Sequence, residues 1–155
     1  MKQLPIVWQR LVNTQGNTCP RCQGTGQEVQ RAVERLRLML EPLGVTPALE
    51  MRELDEASFM NQPAESNRIW IGGKPIEDWI EGQAGSSQCC DECGDNDCRT
   101  LEVGGQSYEV PPEALLVRAG IIAASRLLDP SHHDLTPQAV EAKAPSSCCA
   151  GGSCC

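Results

Sequence analysis

The apolar residues of this chain predict alternating strands and helices over most of its 155 residues. Leu4 to Val12 is rich in β-forming residues and predicts a buried strand. From Gly26 to Leu43 the apolar positions recur every three or four residues, which predicts a long amphipathic helix. Because Thr25 and Glu28 have the spacing of a capping box, we expect this helix to start at Thr25.

The rest of the pattern continues the alternation. The expected segments are a strand over Val45 to Arg52, a short helix over Asp55 to Asn61, a strand over Arg68 to Ile71, a short strand or helical turn within Lys74 to Gly82, a cysteine-rich loop over Gly85 to Cys98, a hairpin over Thr100 to Val110 and a well-buried helix from Pro111 to Leu128. This order predicts an α/β sandwich with a central mixed sheet, a parallel strand pair at its centre and flanking helices.

The composition then changes after residue 128, where Pro, Ser, Ala and His replace the periodic pattern. We expect one domain over residues 1–128, a linker over 129–147 and a disordered cysteine-rich tail over 148–155. His132 and His133 lie in the linker and are expected to be solvated.

The charge and hydropathy exclude two classes of partner. The formal net charge is −8, which argues against nucleic acid because phosphate binding needs a basic surface. No apolar run is long enough to span a bilayer, and no secretion signal is visible, so we expect a cytoplasmic protein without a membrane partner. In that compartment thiols stay reduced, and clustered cysteines are more often catalytic or metal-binding than structural.

Ten cysteines in three tight groups carry the candidate chemistry. Cys19 and Cys22 form C-P-R-C, where Arg21 is expected to favour a thiolate by its charge. Two thiols at this spacing suit redox chemistry, with Cys19 as the more exposed, attacking thiol and Cys22 resolving. Half of a zinc site is the alternative that the same spacing allows.

The second and third groups are candidate metal ligands. The second consists of Cys89, Cys90, Cys93 and Cys98, and the third of Cys148, Cys149, Cys154 and Cys155. Four acidic residues accompany the second group, and their charge raises thiol pKa values but attracts a cation. A second redox pair, Cys90 with Cys93, is the alternative for the middle group. The C-terminal thiols on a glycine-rich backbone suit soft ions such as Cu(I), Hg(II) or As(III).

Several of these motifs together resemble a known family. A strand, C-P-R-C and a long helix resemble the thioredoxin-like fold, with C-P-x-C closer to glutaredoxins. With E-S-N-R-I-W-I-G-G-K-P and C-C-D-E-C-G-D-N-D-C-R-T added, residues 4 to 128 are similar to a family of small prokaryotic thioredoxin-like proteins of unknown function. The resemblance implies a thioredoxin-like fold and thiol chemistry. In working thioredoxins a cis-proline faces the C-x-x-C pair, where this chain has Ser66-Asn67.

These observations lead to three hypotheses about function. The first is a thiol protein that binds, transfers or reduces soft metals or metalloids (As, Hg, Cu or Zn). The second is a non-enzymatic binding module stabilised by a four-cysteine zinc site of Cys19, Cys22, Cys90 and Cys93. The third is a thiol-disulfide oxidoreductase with a protein redox partner. Whether the protein is an enzyme stays open, and no organic cofactor is expected.

Overall fold

The computed structural model describes residues 1–89 and 91–132 of the chain. Their strands form two separate sheets. The first contains β1 (Lys2–Leu11), β2 (Val45–Leu54), β3 (Arg68–Ile71) and β4 (Lys74–Pro75) in the order β2-β1-β3-β4. β1 pairs with β2 in parallel and with β3 antiparallel, so the predicted mixed sheet with a parallel pair is confirmed, but the pair includes the edge strand β2 instead of lying at the centre.

Two helices cover one face of this sheet. α1 (Pro20–Leu40) packs on β1 and β2, and α4 (Glu113–Leu128) packs on β1, β3 and α1. Alternate side chains of β1, at Leu4, Ile6 and Trp8, are buried in the core beneath them. These alternate side chains of β1 share the core with the apolar stripe predicted for α1. Val29, Val33, Leu36 and Leu40 of that stripe are all buried.

The second sheet is smaller and lies between the last strand of the first sheet and α4 in the chain. β5 (Gln83–Gln88), β6 (Asp97–Val103) and β7 (Gln106–Tyr108) form an antiparallel meander. The predicted hairpin at Gly104-Gly105 is confirmed, and both glycines have positive φ. The prediction of a loop from Gly85 was wrong, because residues up to Gln88 form β5, which pairs with β6 along the backbone although its polar side chains carry no apolar strand signal.

Short helices complete the fold. α2 (Glu56–Asn61) is capped by Asp55, whose carboxylate accepts from the Ser58 N–H at 2.7 Å, and α3 (Ile76–Trp79) follows β4. The 3-10 turns span Glu41–Leu43, Pro63–Glu65, Asp91–Cys93 and Pro130–His132. None of the helices in the described part of the chain is both long enough and apolar enough to cross a membrane.

Helix α1 begins six residues before the expected Gly26. Gly24 lies inside the helix rather than before it, and Gly26 lies well past its first residue. A Cβ on Gly26 would stand 2.5 Å from the indole of Trp8, so this glycine permits close packing of the helix on β1. Packing against another element thus explains a glycine within a helix, where its intrinsic propensity is unfavourable.

The capping box expected at Thr25 and Glu28 was also wrong. The Thr25 hydroxyl donates to the Arg21 carbonyl at 3.1 Å, one turn earlier in the same helix. The Glu28 carboxylate accepts from the backbone N–H of Glu113 at 2.7 Å and so caps the start of α4 instead. A carboxylate at the N-terminus of α4 is well placed for the helix dipole.

Helix α4 is less completely buried than its composition predicted. Six of its small and apolar residues face the core, but Ile121 is 38% exposed. At the closest approach of α1 and α4, a Cβ on Gly120 would stand 2.5 Å from a Leu36 methyl carbon. The side chain of Leu36 on α1 therefore packs directly on the backbone of α4 at Gly120, which has no side chain.

Candidate functional site

The start of α1 presents the first pair of thiols. Cys19 is the N-cap residue, its sulfur accepts from the Cys22 backbone N–H at 3.4 Å, and Pro20 is the first helical residue. Cys22 lies in the first turn, so the interpretation that placed it before the helix was wrong. Cys19 is only 1% exposed, although the sequence analysis expected it to be the more exposed thiol.

The second sheet brings three more thiols to the same place. Cys89 follows β5, Cys93 ends the 3-10 turn that comes next, and Cys98 is the second residue of β6. Cys93 and Cys98 are buried, at 2% and 0% exposure, whereas Cys89 is partly exposed. We call these residues with Cys19 and Cys22 the thiol cluster.

The sulfur atoms of the thiol cluster lie close together. Cys19 Sγ and Cys89 Sγ are 3.8 Å apart, and the sulfurs of Cys19, Cys89 and Cys93 all lie within 4.8 Å of one another. Cys98 Sγ lies 3.2 Å from Cys93 Sγ. A central ion about 2.3 Å from three sulfurs in a plane would hold them about 4 Å apart, close to the spacing of the first three.

Hydrogen bonding within the cluster favours one anion. The pKa of Cys19 is strongly lowered, first by the hydrogen bond from the Cys22 thiol and then by one from Cys98. The pKa of Cys22 is raised, because its proton bonds to Cys19 and because it is buried. Burial is the main cause that raises the pKa of Cys93 to about 12. These shifts favour a thiolate at Cys19 over one at Cys22 or Cys93.

Ser66 meets the cluster from the position that faces C-x-x-C. Its hydroxyl oxygen lies 3.7 Å from Cys22 Sγ and accepts from the Leu11 backbone N–H at 3.1 Å. The side chain is fully buried. The sequence comparison with thioredoxins had singled out Ser66-Asn67 for the missing proline, and the structure shows that a hydroxyl contacts the second cysteine from this point.

Arg21 connects the start of α1, which carries Cys19 and Cys22, to β5 and β6 by hydrogen bonds. Its guanidinium donates to the carbonyls of Ser87 and Cys98, each at 3.4 Å, and of Gln88 at 2.9 Å. It also pairs with Glu109 at 2.9 Å, and its side chain is 7% exposed. The guanidinium contacts backbone oxygens on β5 and β6, so a thiolate-stabilising charge on Arg21 stays a prediction.

A second arginine fixes β6 to the body of the protein. Arg99 forms a two-nitrogen ion pair with one Glu77 oxygen, at 2.7 and 3.1 Å, and donates to the Ala64 carbonyl at 3.0 Å. Both partners are largely buried, at 13% and 8% side-chain exposure. Nothing in the sequence alone indicated that Arg21 and Arg99 hold the cysteine-bearing strands.

The structure does not describe the other predicted ligands. Cys90 and the four tail cysteines, Cys148, Cys149, Cys154 and Cys155, lie outside the described residues, as does His133. The acidic residues Asp91, Asp95 and Asp97 are exposed. Among the described residues, the potential ligand atoms gathered at one point are the sulfurs of Cys19, Cys89 and Cys93 rather than carboxylates.

Comparison with known proteins supports a family but no activity. Residues 4–120 match the family described as "Domain of unknown function (DUF2703)". An uncharacterised protein of Archaeoglobus fulgidus is 45% identical over 108 residues, which cover 70% of this chain and 78% of the relative. No solved structure matches the chain significantly.

Proposed function

This chain belongs to the DUF2703 family, and from its thiol cluster we propose that it binds a soft metal or metalloid ion through the sulfurs of Cys19, Cys89 and Cys93. The observation that carries the proposal is the convergence of these three sulfurs within 4.8 Å, from the start of α1, the end of β5 and the 3-10 turn that follows it. Scattered core cysteines would not gather at one point from positions 70 residues apart in the chain.

The protonation pattern supports binding of a cation. Because the pKa of Cys19 is strongly lowered, one ligand is a thiolate before the ion arrives. Cys93, with its pKa raised to about 12, must lose its proton when the ion binds. Binding should therefore release protons, and the affinity should rise with pH.

The number of sulfurs favours particular ions. Three thiolates at this spacing suit soft ions that accept three sulfur ligands, such as As(III), Hg(II) and Cu(I). Zinc prefers four ligands in structural sites, and the sulfur of Cys98 lies too close to Cys93, at 3.2 Å, to join them around one ion without moving. We therefore propose a three-sulfur site in which Cys22 and Cys98 serve as hydrogen-bond donors.

The test is a titration with cadmium(II) and arsenite under reducing conditions. The chain should carry serine at Cys148, Cys149, Cys154 and Cys155, so that tail thiols do not contribute. Native mass spectrometry should show one ion per chain, and the sulfur-to-metal absorption should appear with it. Cys19→Ser, Cys89→Ser and Cys93→Ser should each lose the absorption.

The matched control is Cys98→Ser, which replaces a buried cysteine next to the same three sulfurs by an isosteric hydrogen-bond donor. It should keep binding. Equal loss in all four variants would mean that the cluster is structural, and retention in the first three would remove the proposed ligands.

The thioredoxin-like resemblance supports a second candidate. The order of a strand, C-P-R-C and a long helix that begins next to Cys19 supports this candidate. A disulfide between Cys19 and Cys22 would make the protein a thiol oxidoreductase. The burial of Cys19 argues against a protein substrate, because the attacking sulfur is only 1% exposed.

An insulin-reduction assay separates the two candidates. We expect no turnover above the background of the Cys22→Ser variant, and turnover that depends on Cys22 would favour the oxidoreductase. The four-cysteine zinc module with Cys90 is tested by the same titration with zinc. If it is present, Cys22→Ser and Cys90→Ser should release zinc and unfold the chain.

Two further parts of the proposal concern the cellular setting. The thiols must stay reduced to bind an ion, which suits a reducing compartment such as the cytoplasm. We also propose that the C-terminal thiols deliver ions to the cluster. Restoring them should then speed cadmium uptake by the cluster without changing its final occupancy.

A further inference from the structure

Cys93 and Cys98 lie closer together than ion binding requires. Their sulfurs are 3.2 Å apart, and both side chains are buried. A disulfide needs about 2.05 Å between sulfurs, so small side-chain rotations would bring them into bonding range. The sulfurs of Cys19 and Cys89, at 3.8 Å, have further to move.

The turn between the two cysteines holds this approach. Gly94 has φ +59° and its N–H donates to the Asp91 carbonyl at 3.0 Å. Asn96 donates from its backbone N–H and its side-chain amide to the Cys93 carbonyl, each at 3.3 Å. The chain is thus folded back on itself, so that Cys98 at the start of β6 returns to Cys93.

From this geometry we propose that Cys93 and Cys98 are a reversible dithiol–disulfide pair that switches the ion site off when oxidised. The effect on ion binding rests on the proposed function, because Cys93 is one of the three proposed ligands. The existence of the pair does not rest on it.

Cys89 provides the route for the oxidant. It is the partly exposed member of the thiol cluster, and its sulfur lies within 4.8 Å of Cys93 Sγ. A low-molecular-weight disulfide, RSSR, would react first with the Cys89 thiol, giving a Cys89–SR mixed disulfide and releasing RSH. Cys93 would then attack Cys89 Sγ and release the second RSH.

The last step moves the disulfide inward. Cys98 attacks Cys93 Sγ, the Cys89–Cys93 bond breaks and Cys89 leaves as a thiol. The net reaction converts RSSR and the two protein thiols into the Cys93–Cys98 disulfide and two RSH, so two electrons pass from the protein to the oxidant. Oxidation thereby removes Cys93 from the ion site and restores Cys89.

The chain offers a direct way to map this bond. A protease that cleaves before aspartate cuts at Asp91, Asp95 and Asp97 and so places Cys89, Cys93 and Cys98 on three different peptides. The ion-free protein is treated with oxidised glutathione, the remaining thiols are alkylated, and the peptides are identified by mass spectrometry. We expect the peptide Asp91–Gly94 to be linked to the peptide that begins at Asp97.

Two comparisons complete the test. Oxidised protein should bind cadmium at least about tenfold more weakly than reduced protein, and reductant should restore binding. Cys98→Ser cannot carry out the last step and should stop at the Cys89–Cys93 disulfide, and Cys89→Ser should form the Cys93–Cys98 bond more slowly. Should Cys98→Ser fail to fold, Cys98→Ala and the peptide map of the unmodified protein supply the same information.

The outcomes separate the two proposals. A Cys93–Cys98 link in a protein that never binds cadmium would support the redox pair and remove the proposed function. Cadmium binding together with alkylated Cys93 and Cys98 after oxidation would overturn the redox pair and leave the ion site standing. A link from Cys93 to Cys19, Cys22 or Cys90 would also overturn it.

Discussion

The two sheets of this protein are held in place by different forces. The four-stranded sheet packs its apolar face under α1 and α4, with Leu4, Ile6 and Leu36 almost fully buried. β5 of the three-stranded sheet has the sequence Q-A-G-S-S-Q, and none of its side chains is fully buried. The first region is stabilised by burial of apolar surface. In the second region β6 joins the apolar core through Leu101 and Cys98, whereas β5 is held by polar contacts such as those of Arg21.

The thiol cluster lies where these two regions meet. Cys19 and Cys22 come from the region stabilised by burial, and Cys89, Cys93 and Cys98 come from the region held by Arg21 and Arg99. We call the four-stranded sheet with α1 and α4 the framework, and the segment from β5 to β6 the arm. The framework positions Cys19 and Cys22, and the arm supplies the other three sulfurs. The positions of the ligands can therefore depend on a few polar contacts while the stability of the core does not. Variants in each region should change either the unfolding free energy or the cadmium affinity.

The largest effect on stability should come from the framework. Leu36→Ala removes a fully buried side chain that packs on Gly120, and it should lower the free energy of unfolding by about 2–5 kcal/mol in urea denaturation. The control is Leu38→Ala on the same helix, where the side chain is 75% exposed and little change is expected. At temperatures where it stays folded, Leu36→Ala should still bind one cadmium ion; loss of binding would contradict the separation of the two regions.

Next in size is the buried ion pair that holds β6. Arg99→Met leaves the Glu77 carboxylate buried without its partner and should cost about 3 kcal/mol of unfolding free energy. The double variant Arg99→Met with Glu77→Leu should recover most of that loss, because an apolar pair replaces the charge left alone. A double variant as unstable as the single one would show that geometry, not the unpaired charge, causes the loss.

The sequence predicted the framework far better than this arm. The stripe at Val29, Val33 and Leu36 and the parallel pairing of β1 with β2 follow from the spacing of apolar residues, which is a local signal. The start of α1 does not, because the reason for Gly26 is the indole of Trp8 on another element. Glu28 likewise caps a helix 85 residues away, so its role could not be derived from a local motif.

The candidate site was predictable in part for the same reason. The cysteines and their metal-binding chemistry could be recognised by residue type, and the topology allowed the loop to reach the first pair. Which sulfurs meet could not be predicted, since the approach of Cys89 to Cys19 depends on β5, a strand without an apolar pattern. The sequence also assigned separate roles to two groups of thiols that the structure places in one cluster.

Arg21 tests whether the arm positions the ligands. Arg21→Ala removes donors to carbonyls on β5 and β6 and should weaken cadmium binding by about 10–100-fold, the range typical of residues that orient metal ligands. Isothermal titration of the tail-substituted chain measures this effect. Arg37→Ala, an exposed arginine on the same helix, is the control and should bind normally. Unchanged affinity in Arg21→Ala would mean that the arm keeps its position without this contact.

A substitution of Ser66 should give the smallest change in stability. It tests whether Cys22 belongs to the ion site. Ser66→Ala leaves the buried Leu11 N–H without its acceptor, which should cost about 1 kcal/mol of unfolding free energy. Its hydroxyl contacts Cys22, which is not a proposed ligand, so the cadmium affinity should stay the same. Ser107→Ala on the exposed strand β7 is the control for stability. If Ser66→Ala weakened cadmium binding without lowering stability, Cys22 would have to be counted among the ligands, and the site would extend further into the framework than the three sulfurs indicate.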